Sequence, residues 1–175
     1  VIWRNNLEYI IEKYDKWSRY EPEENSVLIV YSSVYGNTEN VVNALSNYLG
    51  ENVIKNIAVY DSSNTDVSQL VSESFKYSNI VIAATTYNLG LFPKIEEYLL
   101  DIKRLNLQNR TVSIIENSTW VPGIVTKEVK QILSEMKDME ILEKTYSIKS
   151  SSKDFEYENI KNIGDEIINN LKMRD

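Results

Sequence analysis

Residues Ser32-Ser33-Val34-Tyr35-Gly36-Asn37-Thr38 place hydroxyls, an amide and a glycine between the apolar run Val27–Val30 and an amphipathic helical pattern. A helix start offers unpaired backbone N–H groups and about half a positive charge, so it can hold an anion such as phosphate without lysine or arginine. Gly36 permits close backbone approach, and Ser33, Asn37 and Thr38 supply side-chain donors. The plainer reading is a helix cap, with Asn37 or Thr38 capping and Gly36 turning the chain.

Two further loops weigh against the plain cap. Thr85-Thr86-Tyr87-Asn88-Leu89-Gly90-Leu91-Phe92-Pro93 sets an aromatic and an amide beside a glycine. Such a set can lay a flat face and hydrogen-bond donors against a planar heterocycle, and Pro93 is suited to open the next helix. Asn117-Ser118-Thr119-Trp120-Val121-Pro122-Gly123 again brings a large aromatic to a strand's carboxyl end. Singly, Tyr87 or Trp120 reads as an aromatic packed on its own loop; together, the loops suggest one site.

The elements that must carry these loops alternate short β-rich runs with helical patterns, the signature of a parallel sheet covered by helices on both faces. Strands are predicted at Ser26–Tyr31, Val53–Tyr60, Ile80–Ala84, Arg110–Glu116 and Glu140–Ile148. Helical stripes run through Val41, Val42, Leu45 and Leu49; Val67, Leu70, Val71 and Phe75; Ile95, Tyr98, Leu99 and Ile102. Two more run through Val125, Val129, Ile132, Leu133 and Met136, and through Ile160, Ile163, Ile167 and Leu171. Val27–Val30 and Ile80–Ala84 are continuously apolar, as strands buried on both sides are. In an open α/β sheet of order 2-1-3-4-5, ligands bind beyond the carboxyl ends of the strands where the order reverses, between the first and third. An additional stripe, Leu7, Ile10, Ile11, Tyr14 and Trp17, marks a helix ahead of the first strand. The predicted division is a linker helix over 1–24 and one α/β domain over 25–175.

Composition narrows the chemistry. The 175 residues include neither cysteine nor histidine, which removes thiolate chemistry, disulfides and Ser-His-Asp arrangements. A net charge of −7, with no basic tract, disfavours nucleic acid and anionic membranes. Apolar runs are too short to span a bilayer and no signal pattern opens the chain, so a cytoplasmic location is expected. Neither a Gly-x-x-x-x-Gly-Lys-Ser/Thr loop nor Gly-x-Gly-x-x-Gly occurs. A phosphoryl-acceptor receiver domain needs acidic residues where Ser32-Ser33 and Thr85-Thr86 stand.

The run Ser33-Val34-Tyr35-Gly36-Asn37-Thr38-Glu39 resembles the Ser/Thr-x-Thr-Gly-x-Thr phosphate loop of flavodoxin-like FMN-binding domains. It is most similar to the flavodoxin-like domain of flavodiiron proteins (A-type flavoproteins), which often have an aromatic before the glycine, as Tyr35 is here. Thr86 to Pro93 resembles their third-strand loop, Trp120 stands where they carry a tryptophan, and Val1-Ile2-Trp3-Arg4 resembles the entry to their linker helix. Two departures are Ala83-Ala84-Thr85-Thr86 in place of Gly-Ser-Pro-Thr, and a fourth loop poorer in glycine. The resemblance implies FMN as cofactor. Its phosphate would lie against Ser32, Ser33, Val34, Tyr35, Gly36, Asn37 and Thr38. Its ring would lie between Thr86, Tyr87, Asn88, Leu89 and Gly90 and Asn117, Ser118, Thr119, Trp120 and Gly123. It further implies electron relay to a di-iron site absent from this histidine-free chain, a metallo-β-lactamase-like partner domain, a redox donor such as a rubredoxin-like protein, and a homodimer. The alternatives are an FMN-dependent NAD(P)H:quinone reductase of the same fold and a non-redox interaction module.

Overall fold

The computed structural model describes residues 5–52, 54–151 and 157–174; the Val1-Ile2-Trp3-Arg4 motif lies outside them. The chain runs α1 (Leu7–Ser18), β1 (Glu24–Tyr31), α2 (Asn37–Glu51), β2 (Ala58–Asp61), α3 (Val67–Lys76) and β3 (Tyr77–Tyr87). It continues through β4 (Gly90–Leu91), α4 (Pro93–Arg104), β5 (Arg110–Asn117), α5 (Ile124–Ser134), β6 (Met139–Ile148) and α6 (Tyr157–Arg174). The principal strands form a parallel sheet of order β2-β1-β3-β5-β6, the order expected from the sequence, with β4 paired antiparallel to β3.

Alternation along the strands divides the core in two. Val27, Ile29, Val81, Ala83 and Ile115 face α2 and α6, meeting Val41, Leu45, Ile163 and Ile167. Leu28, Val30, Ile80, Ile82 and Ile114 face α3, α4 and α5, meeting Leu70, Ile95, Leu99 and Val129. The result is a three-layer α/β/α sandwich whose inner strands, apolar on both faces, could sit nowhere else.

Three departures from the sequence reading have a local reason. Strand β2 spans only Ala58–Asp61; of its predicted start, Val53 lies outside the described residues, and the Ile54 N–H donates to Leu49 O at 3.1 Å, holding that residue at the end of α2 rather than in the sheet. Strand β3 extends to Tyr87 because it keeps pairing with β5 as far as Thr85↔Asn117 and then folds back on β4. In β6 the register jumps between Val112↔Ile141 and Ile114↔Thr145, which bulges the strand. The freed N–H groups of Glu143 and Lys144 donate to the Glu166 carboxylate of α6 at 3.1 and 3.0 Å.

At the amino ends of the strands, opposite the candidate site, Arg110 is fully buried and meets no carboxylate among the described residues. Its guanidinium donates to Ser74 O at 3.0 Å, Phe75 O at 2.8 Å and Tyr20 O at 2.7 Å, tying the end of α3 to the segment that follows α1. The Ser74 and Phe75 carbonyls carry the negative end of α3, which suits a cation. Burial still pushes its pKa down to about 10. No residue of α1 is fully buried; Trp17 Nε1 donates to Glu23 at 2.6 Å and Lys13 pairs with the same carboxylate.

Candidate functional site at the carboxyl ends of the strands

The first helix start beside the sheet's crossover is open. Gly36 is the N-cap of α2 with φ of +81°, a left-handed conformation that costs an L-residue energy, and no side chain caps the helix. A Cβ built at Gly36 would meet nothing within 4 Å. The cap expected on the plainer reading, from Asn37 or Thr38, is therefore not formed. A helix with its first turn uncapped keeps unpaired N–H donors. Beneath it, Ser33 Oγ is shielded from solvent and has no hydrogen-bond partner among the described residues. Ser32 is buried, accepting from the Thr85 N–H at 3.4 Å while its own N–H donates to Ala83 O at 2.9 Å, so it ties the loop to β3. Tyr31, at the end of β1, is held as a neutral phenol: burial foremost, then Glu39 and Asp61, pushes its pKa up.

The second helix start is filled. Gly123 caps α5 with φ of +93°, again with open space at its Cβ position. Here the buried carboxylate of Glu116 accepts from the Gly123 N–H, from the Thr126 N–H at 2.9 Å and from Thr126 Oγ1 at 2.9 Å. The helix's positive end is satisfied by the chain's own anion. In the sequence Glu116 reads only as a strand residue, because nothing in its neighbours signals a cap reached across seven positions.

After β3 the chain makes a two-residue hairpin: Tyr87 pairs with Gly90, with Asn88 at φ of +48° and Leu89 at +61° between them. Two consecutive positive φ values match a type I′ turn, which prefers asparagine first and glycine second. Leucine in the second place is a strained choice, and its side chain is exposed. The hairpin is pinned from α5, where Glu128 accepts the Leu91 N–H at 2.7 Å. Tyr87 packs edge-on against Phe92, with ring centroids 6.1 Å apart.

Asn117, at the end of β5, joins the loops. Its Nδ2 donates to Thr38 Oγ1 at 3.3 Å and to Ser150 O at 3.0 Å, and its main-chain carbonyl accepts from the Thr85 and Thr86 hydroxyls at 3.3 and 3.4 Å. Ser118 is buried; its N–H donates to Ile148 O at 3.0 Å and its Oγ accepts from the Val121 N–H at 3.2 Å, fixing the loop that presents Trp120.

These loops enclose a cavity of about 220 Å³. Of the residues singled out in the sequence, Ser33, Val34, Tyr35, Asn37 and Thr38 line it from the first loop. Thr86 lines it from the second, and Asn117, Thr119 and Trp120 from the third. Ser32, Gly36, Ser118 and Gly123 shape the backbone around it, while Tyr87, Asn88, Leu89 and Gly90 form the hairpin and are not among its lining residues. Thr85 and Ser150 join the lining as well, although the sequence does not single them out as site residues. No charged side chain of the described residues lines the cavity, so an anion there would be met by backbone dipoles and hydroxyls alone. Trp120 is 89% exposed and Tyr35 88%, two aromatic faces that no described part of the chain covers.

The fold compares closely with solved structures. Rubredoxin oxygen:oxidoreductase from Desulfovibrio gigas superposes with a TM-score of 0.85 at 23% identity, over 95% of this chain and 41% of that one. The flavodiiron protein of Giardia intestinalis gives 0.81 at 18% identity, over 98% of this chain and 43% of that one. A flavodoxin from Streptococcus pneumonia gives 0.69 at 16% identity, over 82% of this chain and 98% of its own. The fold is flavodoxin-like. Among curated proteins, the anaerobic nitric oxide reductase flavorubredoxin of Salmonella paratyphi B is 26% identical over 129 residues, 73% of this chain. The flavodoxin-like chain spans about a quarter of the length of that relative, 26%. No family model matches it.

Proposed function

We propose that this flavodoxin-like domain binds FMN and transfers electrons through it. On this reading it is the flavodoxin part of a flavodiiron O2 or NO reductase, relaying electrons to a di-iron site carried elsewhere. The observation that supports it most is the uncapped start of α2, where an αL glycine, a buried unpartnered Ser33 hydroxyl and the rim of an uncharged polar cavity coincide. These features fit a phosphate monoester. The N–H groups at residues 36–38 would take its oxygens, with Ser33, Asn37 and Thr38 adding side-chain donors and Thr86 joining from β3. Bound FMN supplies reversible one- and two-electron chemistry, which the protein need only hold and tune.

The remaining residues position and shield. Trp120 and Tyr35 present exposed rings that a flat heterocycle would cover, and such aromatic contacts favour offset or edge-on geometry. The hairpin Tyr87-Asn88-Leu89-Gly90, pinned by Glu128, stands beside the cavity, and its N–H groups and those beside Trp120 would be available to the ring's polar edge. No side chain acts as acid or base in this scheme. The segment 1–24, which carries α1, serves as the linker and 25–175 as the FMN-binding domain. The partners are a metallo-β-lactamase-like di-iron domain, a rubredoxin-like donor and a second copy in a homodimer, within the cytoplasm. No helix among the described residues is long and apolar enough to cross a membrane.

The experiment is a titration of the apo-protein with FMN, followed by flavin fluorescence quenching at micromolar protein. Saturable quenching is expected. A folded protein, by circular dichroism, that leaves the fluorescence unchanged would overturn the reading.

A further inference from the structure

We infer that Asn117 is a positioning residue for phosphate recognition: its side-chain amide fixes Thr38 as a hydrogen-bond donor aimed at the anion. The inference rests on the FMN reading above. Ser150 O is a main-chain carbonyl and can only accept, so the Asn117 atom 3.0 Å from it must be the NH2 group. The amide orientation is thereby set. The second hydrogen of the same Nδ2 is then directed to Thr38 Oγ1 at 3.3 Å, which makes that hydroxyl an acceptor from Asn117. A hydroxyl that accepts there still carries its own proton, and no described residue accepts it. Thr38 is 1% exposed and Asn117 8%, so water competes little for the bond, and Thr38 lines the cavity at the first turn of α2. The acceptor that suits such a donor is one delivered into the cavity: a phosphate oxygen.

The same amide couples the anion seat to the rest of the site. Through Ser150 O it holds the loop that follows β6, and the Asn117 carbonyl gathers the Thr85 and Thr86 hydroxyls. An asparagine at this place therefore orients other donors, through its side chain and its carbonyl. A carboxylate of the same shape, introduced by Asn117→Asp, would invert the donor: it would accept the Thr38 proton and turn the hydroxyl's lone pairs toward the phosphate.

A double-mutant cycle on the full chain tests this, with FMN and riboflavin as probes and fluorescence quenching as the readout. Asn117→Ala is expected to weaken FMN binding about tenfold, the usual cost of losing control of one bond to a charged group, and to leave riboflavin affinity within about threefold. In a Thr38→Val background the same substitution is expected to change FMN affinity by less than about threefold, because the hydroxyl it orients is gone. Should Asn117→Ala not fold, the uncharged and similarly sized Asn117→Leu carries the same cycle, with FMN loss exceeding riboflavin loss expected only when Thr38 is present. Equal losses for FMN and riboflavin, or the same loss in both backgrounds, would overturn the positioning role while leaving FMN binding intact. A wild-type protein that binds neither flavin would overturn both readings.

Discussion

Helices α2 and α5 both follow a central strand, both begin on a glycine at positive φ, and both leave open space where a Cβ would stand. They differ in what meets the helix's positive end. At α5 a buried glutamate reaches back from β5 and takes two N–H groups and a hydroxyl. At α2 nothing from the described chain does so, and a serine hydroxyl stays unpartnered beneath it. On the proposed reading, a phosphate seat is a helix start from which the chain's own stabilising anion has been left out. With α5 closed internally, the proposed phosphate site is left to α2 alone.

Supplying α2 with the kind of anion that α5 already has should break the contrast most severely. Gly36→Asp adds a carboxylate and an αL penalty at once, and FMN affinity should fall by more than about 1,000-fold. The equivalent change at α5, Gly123→Asp, should leave FMN affinity of the folded protein within about threefold; titration of both variants checks the pair. Next in size, Glu116→Ala removes a buried carboxylate bonded to three donors. It should lower unfolding free energy in urea by about 3 kcal/mol while the folded protein still binds FMN. Unchanged stability would mean that α5 needs no anion, and the contrast would lose its second half.

Gly36→Ala and Gly123→Ala sharpen the comparison further. Each should cost roughly 1–2 kcal/mol in stability, since both positions are left-handed and neither is crowded, but only the first should also weaken FMN binding. Smallest of all, Ser33→Ala should reduce FMN affinity about fivefold with no loss of thermal stability, because the hydroxyl it removes satisfies nothing within the described chain.

Much of this architecture is readable in the residues. Continuous apolar runs mark β1 and β3 as inner strands, helical stripes give both covering layers, and the switch point then puts three loops at one edge of the sheet. What is not readable comes from contacts distant in sequence or from competing local preferences. The two-residue hairpin at Asn88-Leu89 hides behind a leucine where glycine is preferred, and it holds because Glu128 bonds the Leu91 N–H from another helix. Glu116 looks like one more strand position; its capping role depends on how Gly123 and Thr126 return over the end of β5. Ser150 enters the site only because Asn117 reaches its carbonyl, and the bulge in β6 persists only because Glu166 satisfies the amides it frees. The cap expected from Asn37 or Thr38 is the misleading local signal, since Thr38 is engaged by Asn117 rather than by its own helix.

The most direct measurement is the crystal structure of the protein soaked with FMN. Phosphate density is expected at the start of α2, within hydrogen-bonding distance of the Ser33 hydroxyl and the amides around Gly36, with α5 still capped by Glu116. Phosphate density at any other place, or a flavin bound with the α2 start left untouched, would contradict it.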